Sequence, residues 1–444
     1  MPRFCLALRS AVVLVAVLAG GARAQADDVL LRDAEIESDI KTIAAPIWRA
    51  AGLVPTDVGI YMIDDSELNS FVAGGQAIFL NTGLILRAQN VNQLMGVIAH
   101  ETGHIAGGHI LRTKEAIRNA SIEAIIATVV GAAAGVAGHN GAAILPGMAV
   151  GQAAFNRFSI SQEATADHAA MNYLDRICQS AKGLLDFFEI LQADERLQGQ
   201  EDDPWARTHP LTGERIDYVR DHVDRARCSS APVPPEDEAL FKLVQAKLHA
   251  FLDDPSVTLR RFPESDHSEI ARYARAIAYY RVPKLDKSVP LIDALIHDYP
   301  DNPYYRELKG QMLFENGHIR DAVAPYEQAM RLAPNQALLR ISLAQVYIET
   351  NDPALNKKAI AMLNSAVQAE GRDSTVWHFL AVAYGRDNQL GMAALSLAEK
   401  AFADGQKTEA VQQSKRAQQN LPRGTASYFR AVEIAHEAED LDKE

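Results

Sequence analysis

Residues 100–104 read His-Glu-Thr-Gly-His, the pattern H-E-x-x-H. The apolar run at 91–99 (VNQLMGVIA) leads straight into it and predicts one buried helix. Positions i and i+4 share a helix face, so His100 and His104 can each offer a nitrogen to one tetrahedral Zn2+. Glu101 sits one step round and can take the proton of a water polarised at that ion. The competing reading is a helix with two solvated histidines and a stray carboxylate.

A catalytic zinc site needs a third protein ligand and an open fourth position. Glu163 is the candidate, in a segment (162–174) that reads as a helix with small residues suited to close packing. Asp167 follows four residues later, on the same face. One carboxylate can bind the metal, and the other can accept the free N–H of a ligand histidine and set its tautomer. An ordinary exposed acidic face is the alternative. His168 is adjacent to Asp167 and points elsewhere on a helix. Further on, His209 precedes Pro210, so it sits in extended backbone on a loop entering a helix. It can donate a hydrogen bond to the oxyanion of a tetrahedral intermediate, or occupy the open zinc position in a resting state. Arg215 can pair with a site carboxylate. The plain alternative is a surface loop with a helix-starting proline.

Taken together, H-E-x-x-H at 100–104, S-x-E-x-x-A-D at 161–167 and T-H-P-x-x-x-x-R-I at 208–216 resemble the zinc metallopeptidases related to the CAAX-prenyl endopeptidases and the bacterial heat-shock membrane protease HtpX. The segment 74–84 is similar to the strand that precedes the metal helix in that family. The resemblance covers residues 30–225. It implies a gluzincin with one Zn2+ per chain, His100, His104 and Glu163 as ligands, and Glu101 as general base. It also implies an active-site role for His209 and supporting roles for Asp167 and Arg215. The chain departs from the family at 178–183 (CQSAKG), away from the metal residues.

The start of the chain points to export. Arg3 and Arg9 precede an apolar run at 11–19, and Ala22-Arg23-Ala24 fits a cleavage signal. The run is short for a membrane span. Residues 1–24 are therefore expected to be a signal peptide, and the compartment the periplasm. Loss of Arg3, Arg9 and Arg23 takes the formal charge from −13 to −16, which argues against non-specific nucleic-acid binding. Only Cys178 and Cys228 remain after cleavage. In an oxidising compartment they can form one disulfide or stay unpaired.

The 444 residues exceed one ordinary core. Three prolines in four residues at 232–235 mark a linker at 229–236. The expected domains are a peptidase domain at 25–228 and a helical-repeat domain at 237–444. Before the linker, 33–51 predicts a helix, and 58–63, 70–73 and 76–80 predict strands with turns at Asp64-Asp65 and Gly74-Gly75. Ala77, Ile78, Phe79 and Leu80 are the candidate edge strand that would hold an extended substrate by backbone pairing, with a purely structural strand as the alternative. The apolar stretch 121–155, broken by His139, Asn140 and Pro146, reads as a helical hairpin that either touches a membrane surface or an unfolded client, or is core. His109 and His139 read as structural or solvated rather than as ligands.

After the linker, Pro300 and Pro334 stand 34 residues apart, the tetratricopeptide period. Leu308, Gly310, Ala322 and Ala329 are the expected packing positions of one unit; Ala344, Tyr347, Ala359 and Ala366 belong to the next. Trp377, Leu380, Ala381, Tyr384 and Ala393 form a third, and Tyr273, Ala276 and Tyr279 mark a degenerate earlier one. Stacked helix pairs make a concave surface suited to peptides or partner proteins. The expected fold is thus α+β and mostly helical: a gluzincin-type zinc metallopeptidase domain followed by an all-α tetratricopeptide-repeat solenoid. The expected function is a periplasmic zinc endopeptidase that cleaves misfolded or misassembled envelope proteins. Its repeats would recruit a client or, as the resemblance implies, the outer-membrane β-barrel assembly machinery. The alternative is a chaperone or assembly factor with a mostly dormant metal site.

Overall fold

The computed structural model describes residues 29–109, 160–198, 205, 209, 211–371 and 373–440. The expected signal peptide and the apolar stretch 121–155, with His139, lie outside the described residues. No helix among the described residues is long and apolar enough to cross a membrane.

Asp33 accepts a hydrogen bond from the Ile36 amide at 2.9 Å and so caps α1, Ala34–Ala50, as the pattern predicts. Ile36, Ile40, Ile43, Ala44 and Ile47 recur at helical spacing and are buried. The sheet holds four strands, β1 (Val29–Leu31), β2 (Gly59–Asp64), β3 (Ser70–Ala73) and β4 (Ala77–Asn81), in the order β1-β2-β4-β3. β2 runs parallel to β4, while β1 pairs antiparallel with β2 and β3 with β4. The β3–β4 turn needs φ of 61° at Gly74 and 103° at Gly75, a region that side chains resist.

One expectation is corrected here. Ala77, Ile78, Phe79 and Leu80 do not form an exposed edge. β4 lies between β2 and β3, so the backbone groups on both its sides are already used, and Ile78, Phe79 and Leu80 are fully buried. Apolar residues on both faces of a strand signal that both faces of the sheet are covered; the inner position follows from the strand order. Among the described residues the edge beside β4 belongs to β3. Asn81 donates to the Asn69 carbonyl at 3.1 Å, and antiparallel strands alternate the side to which their backbone groups point. Ser70 and Val72 therefore direct their backbone N–H and C=O away from β4.

After α2 (Thr82–Arg87), Asn90 caps α3 (Val91–Ala106) by accepting from the Gln93 amide at 3.2 Å. α3 is buried along almost its whole length, between α4 (Ile160–Arg176) and α5 (Lys182–Gln198). Two glycines permit this. A Cβ at Gly103 would stand 2.7 Å from the Ala166 carbonyl oxygen of α4, and one at Gly96 would stand 2.6 Å from the Leu184 amide of α5. The helices touch backbone to backbone there, which locks their relative height. Thr212 caps α6 (Gly213–Arg225). Cys178, just past α4, is bridged to Cys228, just past α6, with Cα atoms 5.2 Å apart. That bridge ties together the ends of the two helices that carry Glu163, Asp167 and Arg215. α7 (Pro235–Leu252) follows the proline-rich segment and buries Phe241, Val244 and Leu248 in the same core.

The chain divides into two compact units, with the division between Ala274 and Arg275 for the described residues. The second unit is a succession of antiparallel helix pairs, among them Pro303–Glu315 with Ile319–Leu332, Ala337–Glu349 with Pro353–Glu370, and Ser374–Arg386 with Leu390–Ala403. The expected small positions do the packing. Ala322, Ala329, Ala344, Ala359 and Ala366 are fully buried, and a Cβ at Gly310 would meet the Tyr326 ring at 2.5 Å. Leu308, Tyr347, Leu380 and Tyr384 are buried, whereas Trp377 and Ala393 are half-buried against the same core. The fold is α+β and mostly helical, as expected.

Candidate metal centre

Three helices and one loop residue converge on the site. α3 presents His100, Glu101 and His104; α4 presents Glu163 and Asp167; α6 presents Arg215; His209 comes from the segment before α6. All seven are buried. His100, His104, Glu163 and His209 each offer one ligand atom, and these atoms lie within 4.8 Å of one another.

The directions of the rings are specific. The Nε2 atoms of His100 and His104 face each other at 3.1 Å. His100 Nε2 is 3.4 Å from Glu163 Oε2, and His104 Nε2 is 3.2 Å from Glu163 Oε1. Both rings thus turn Nε2 inward, and their Nδ1 atoms face other partners. His100 Nδ1 lies 2.8 Å from Asp167 Oδ1. His104 Nδ1 lies 3.2 Å from His109 Nδ1, which places His109 behind a ring of the cluster. His168 is exposed and lies against Tyr218, apart from the cluster.

Arg215 grips both Glu163 and Asp167 of α4. Its Nε and one terminal nitrogen donate to Asp167 at 2.7 and 2.9 Å, and its other terminal nitrogen is 2.9 Å from Glu163 Oε2. Its guanidinium also lies 5.0 Å over the Phe188 ring of α5. Buried carboxylates need such partners to stay ionised. Burial opposes the charge on Glu163, but the His209 charge and the hydrogen bonds from three histidines hold its pKa far below the usual range. Burial likewise opposes the Asp167 charge, and the hydrogen bonds from His100 and Arg215 outweigh it.

The two helix histidines differ. Burial disfavours a charge on His100, but hydrogen bonds to Asp167 and Glu163 and their charges prevail and raise its pKa to about 9. Burial is also the largest influence on His104. Joined by repulsion from His100 and His209, it outweighs the hydrogen bond to Glu163, and the pKa falls to about 3. A cation at the inward nitrogens competes with the proton on His100, so its binding releases protons.

His209 occupies the fourth corner. Its Nδ1 is 3.1 Å from Glu163 Oε1, and its Nε2 is 3.2 Å from the Ser70 carbonyl and 3.7 Å from Glu101 Oε1. Its amide donates to the Trp205 carbonyl one turn earlier at 2.6 Å, and the indole lies beside the imidazole, tilted by 33°, with centroids 4.7 Å apart. Glu101 accepts a hydrogen bond from Ser70 Oγ at 2.6 Å on Oε1, while its buried Oε2 has no hydrogen-bond partner among the described residues.

The structure thus brings together His100, Glu101, His104, Glu163, Asp167, His209 and Arg215. Ala77 to Leu80 lie in β4, paired on both sides. Sequence reasoning missed Ser70 and Trp205. The W-x-x-x-H spacing was a readable signal for Trp205; a serine on a short strand carries none. The donor set suits a borderline divalent metal: two imidazoles, a carboxylate, and a second carboxylate behind one ring to set its tautomer.

Residues 30–223 match the family described as Peptidase family M48, and residues 313–383 match a tetratricopeptide repeat. The chain is 24% identical to the beta-barrel assembly-enhancing protease of Yersinia pestis over 398 residues, which is 86% of this chain and 79% of that protein. It is 29% identical to a putative beta-barrel assembly-enhancing protease of Vibrio cholerae over 292 residues, 62% of this chain and 58% of that one. Over 172 residues it is 30% identical to metalloprotease YcaL of Escherichia coli, covering 38% of this chain and 63% of the relative.

Proposed function

Because its N-terminal domain belongs to peptidase family M48 and the chain is a metalloendopeptidase, we propose that this protein is a zinc endopeptidase of the bacterial periplasm that removes misassembled envelope proteins. The observation that carries the reading is the buried cluster of His100, His104, Glu163 and His209 with Glu101 beside it. Export is supported by the sequence pattern at 1–24 and by the Cys178–Cys228 bridge, which suits an oxidising compartment. The names of the assembly-enhancing relatives support a role at outer-membrane β-barrel assembly.

In this reading His100, His104 and Glu163 hold the zinc, with Asp167 and Arg215 setting their orientation. Zinc, when bound, supplies a Lewis acid that lowers the pKa of water and polarises the scissile carbonyl. Glu101 takes the proton of the attacking water and passes it to the leaving amine. His209 holds the fourth position in the resting state. It also engages the Ser70 carbonyl at the outward side of β3, so its departure frees that acceptor. The outward backbone of Ser70 and Val72 can then pair with an extended substrate segment. Such pairing selects unfolded or flexible chain, because a compact domain has no strand to add. The repeat unit recruits clients or the assembly machinery.

The four-residue cluster also favours a second reading, in which the site stays closed and the protein serves as a chaperone or assembly factor. Metal content and casein cleavage of the purified mature protein, beside Glu101→Gln, separate the two. The endopeptidase reading expects about one zinc per chain and cleavage that the variant loses by at least roughly a hundredfold. Zinc without cleavage points to the closed-site reading. A folded protein that takes up no zinc refutes the ligand assignment.

A further inference from the structure

We infer that Ser70 is a positioning residue for the general base: its hydroxyl holds one oxygen of Glu101 so that the other faces the reacting water. The inference rests on the endopeptidase reading above and goes beyond the residues assigned there.

Three observations meet at this serine. Ser70 Oγ is 2.6 Å from Glu101 Oε1, a short hydrogen bond between two fully buried groups. The His209 Nε2 that approaches Glu101 is also on the Oε1 side, at 3.7 Å. Oε2 is buried and has no hydrogen-bond partner among the described residues. Among the described residues the carboxylate is therefore anchored through one oxygen and unengaged at the other. A base must present a lone pair in one direction, and a carboxylate free to rotate about its terminal bond presents it in many. An unengaged buried oxygen is costly, and it persists where the surrounding structure has a use for it.

The placement of the serine explains why a strand residue is needed. Ser70 is the first residue of β3, and its register against Leu80 is set by the β3–β4 ladder. Its backbone carbonyl points outward to the substrate side, whereas its hydroxyl reaches α3. One residue thus joins the docking edge to the base, and the rigid pairing of β3 with β4 holds the hydroxyl in place. A hydroxyl that merely satisfies itself in the core would leave turnover unaffected when its partner is already folded.

Full-length, zinc-loaded Ser70→Ala, Ser70→Cys and Ser70→Thr are compared with the parent protein on an unfolded casein substrate. Ser70→Ala and Ser70→Cys are expected to keep zinc and KM while kcat falls roughly tenfold, about 1.4 kcal/mol of transition-state stabilisation. Ser70→Thr, which keeps the hydroxyl, is expected to recover most of kcat. Cys conserves volume, so it decides the matter if the alanine variant does not fold. An unchanged kcat in the alanine variant or in the cysteine variant, whose S–H is only a weak donor, a change confined to KM, or a folded, zinc-loaded threonine variant as slow as alanine overturns the inference. If the parent protein itself shows no Glu101-dependent cleavage, the endopeptidase reading fails and this role falls with it; a loss of the Ser70 effect alone leaves that reading standing.

Discussion

Asp167 lies 2.8 Å from the outer nitrogen of His100, on the far side of the ring from Glu163. Its remaining capacity is taken by Arg215, which meets it through two nitrogens. The ring can then turn only Nε2 toward the cluster. Asp167→Asn keeps the shape but removes the charge, so zinc affinity is expected to fall roughly 10- to 100-fold. Chelator competition on the folded variant measures it, and an unchanged affinity would count against Asp167 as the orienting group.

Gly103 is the second of the two residues that the H-E-x-x-H pattern leaves unspecified, yet it touches the Ala166 backbone. Gly103→Ala inserts a methyl group 2.7 Å from a carbonyl oxygen that cannot move without α4. The two helices must separate, and Glu163 withdraws from His100 and His104. The expected cost is about 1–3 kcal/mol of stability, with weaker zinc binding alongside. Thermal melts with and without added zinc test this. A variant as stable and as tightly loaded as the parent would mean that the contact is slack.

His209→Ala should retain zinc, because three ligands remain. In the resting-state reading it should also cleave small unstructured peptides faster, since both the fourth position and the Ser70 carbonyl are released. Zinc content and initial rates on such a peptide decide it. Loss of metal would make His209 a required ligand. A slower but zinc-loaded variant would favour the oxyanion-donor role instead.

Asp39 supplies a pH signature away from the site. It is buried beside Glu35 and Asp33, with Lys247 as the neighbouring cation, and Lys247 already binds both of those carboxylates at 2.8 Å. Burial first, then the charge of Glu35, raise the Asp39 pKa from 3.8 to about 8. The folded state therefore binds a proton that the unfolded state has released, so this group removes stability as pH rises from about 4 to about 8. Asp39→Asn should match the parent near pH 4 and melt several degrees higher above pH 8. Equal melting temperatures at the alkaline end would show that Asp39 ionises freely.

Much of the site was legible because its parts are local. The i, i+4 spacing of His100 and His104, and of Glu163 and Asp167, assigns each pair to one helix face whatever the rest of the chain does. The repeat unit was legible for a similar reason, since Ala322, Ala329, Ala359 and Ala366 occupy positions where paired helices need small residues. β4 was misplaced because a strand's neighbours are not written in its own residues. The row Ile78, Phe79, Leu80 says that a strand is buried, and only the order β1-β2-β4-β3 shows that it is inside the sheet.

The residue types and their periods determined which elements form and which side chains share a face. They determined the donor chemistry as well: two imidazoles, two carboxylates, a guanidinium and a later histidine, spread over 116 positions from His100 to Arg215. Tertiary structure alone decided what meets what. It set the pairing of Cys178 with Cys228, the two-handed grip of Arg215 on Asp167 and Glu163, and the contact of Ser70 with Glu101. These joins depend on backbones that approach within a few ångströms at Gly103 and Gly96. Such distances follow from how whole helices and strands pack, so no local pattern encodes them.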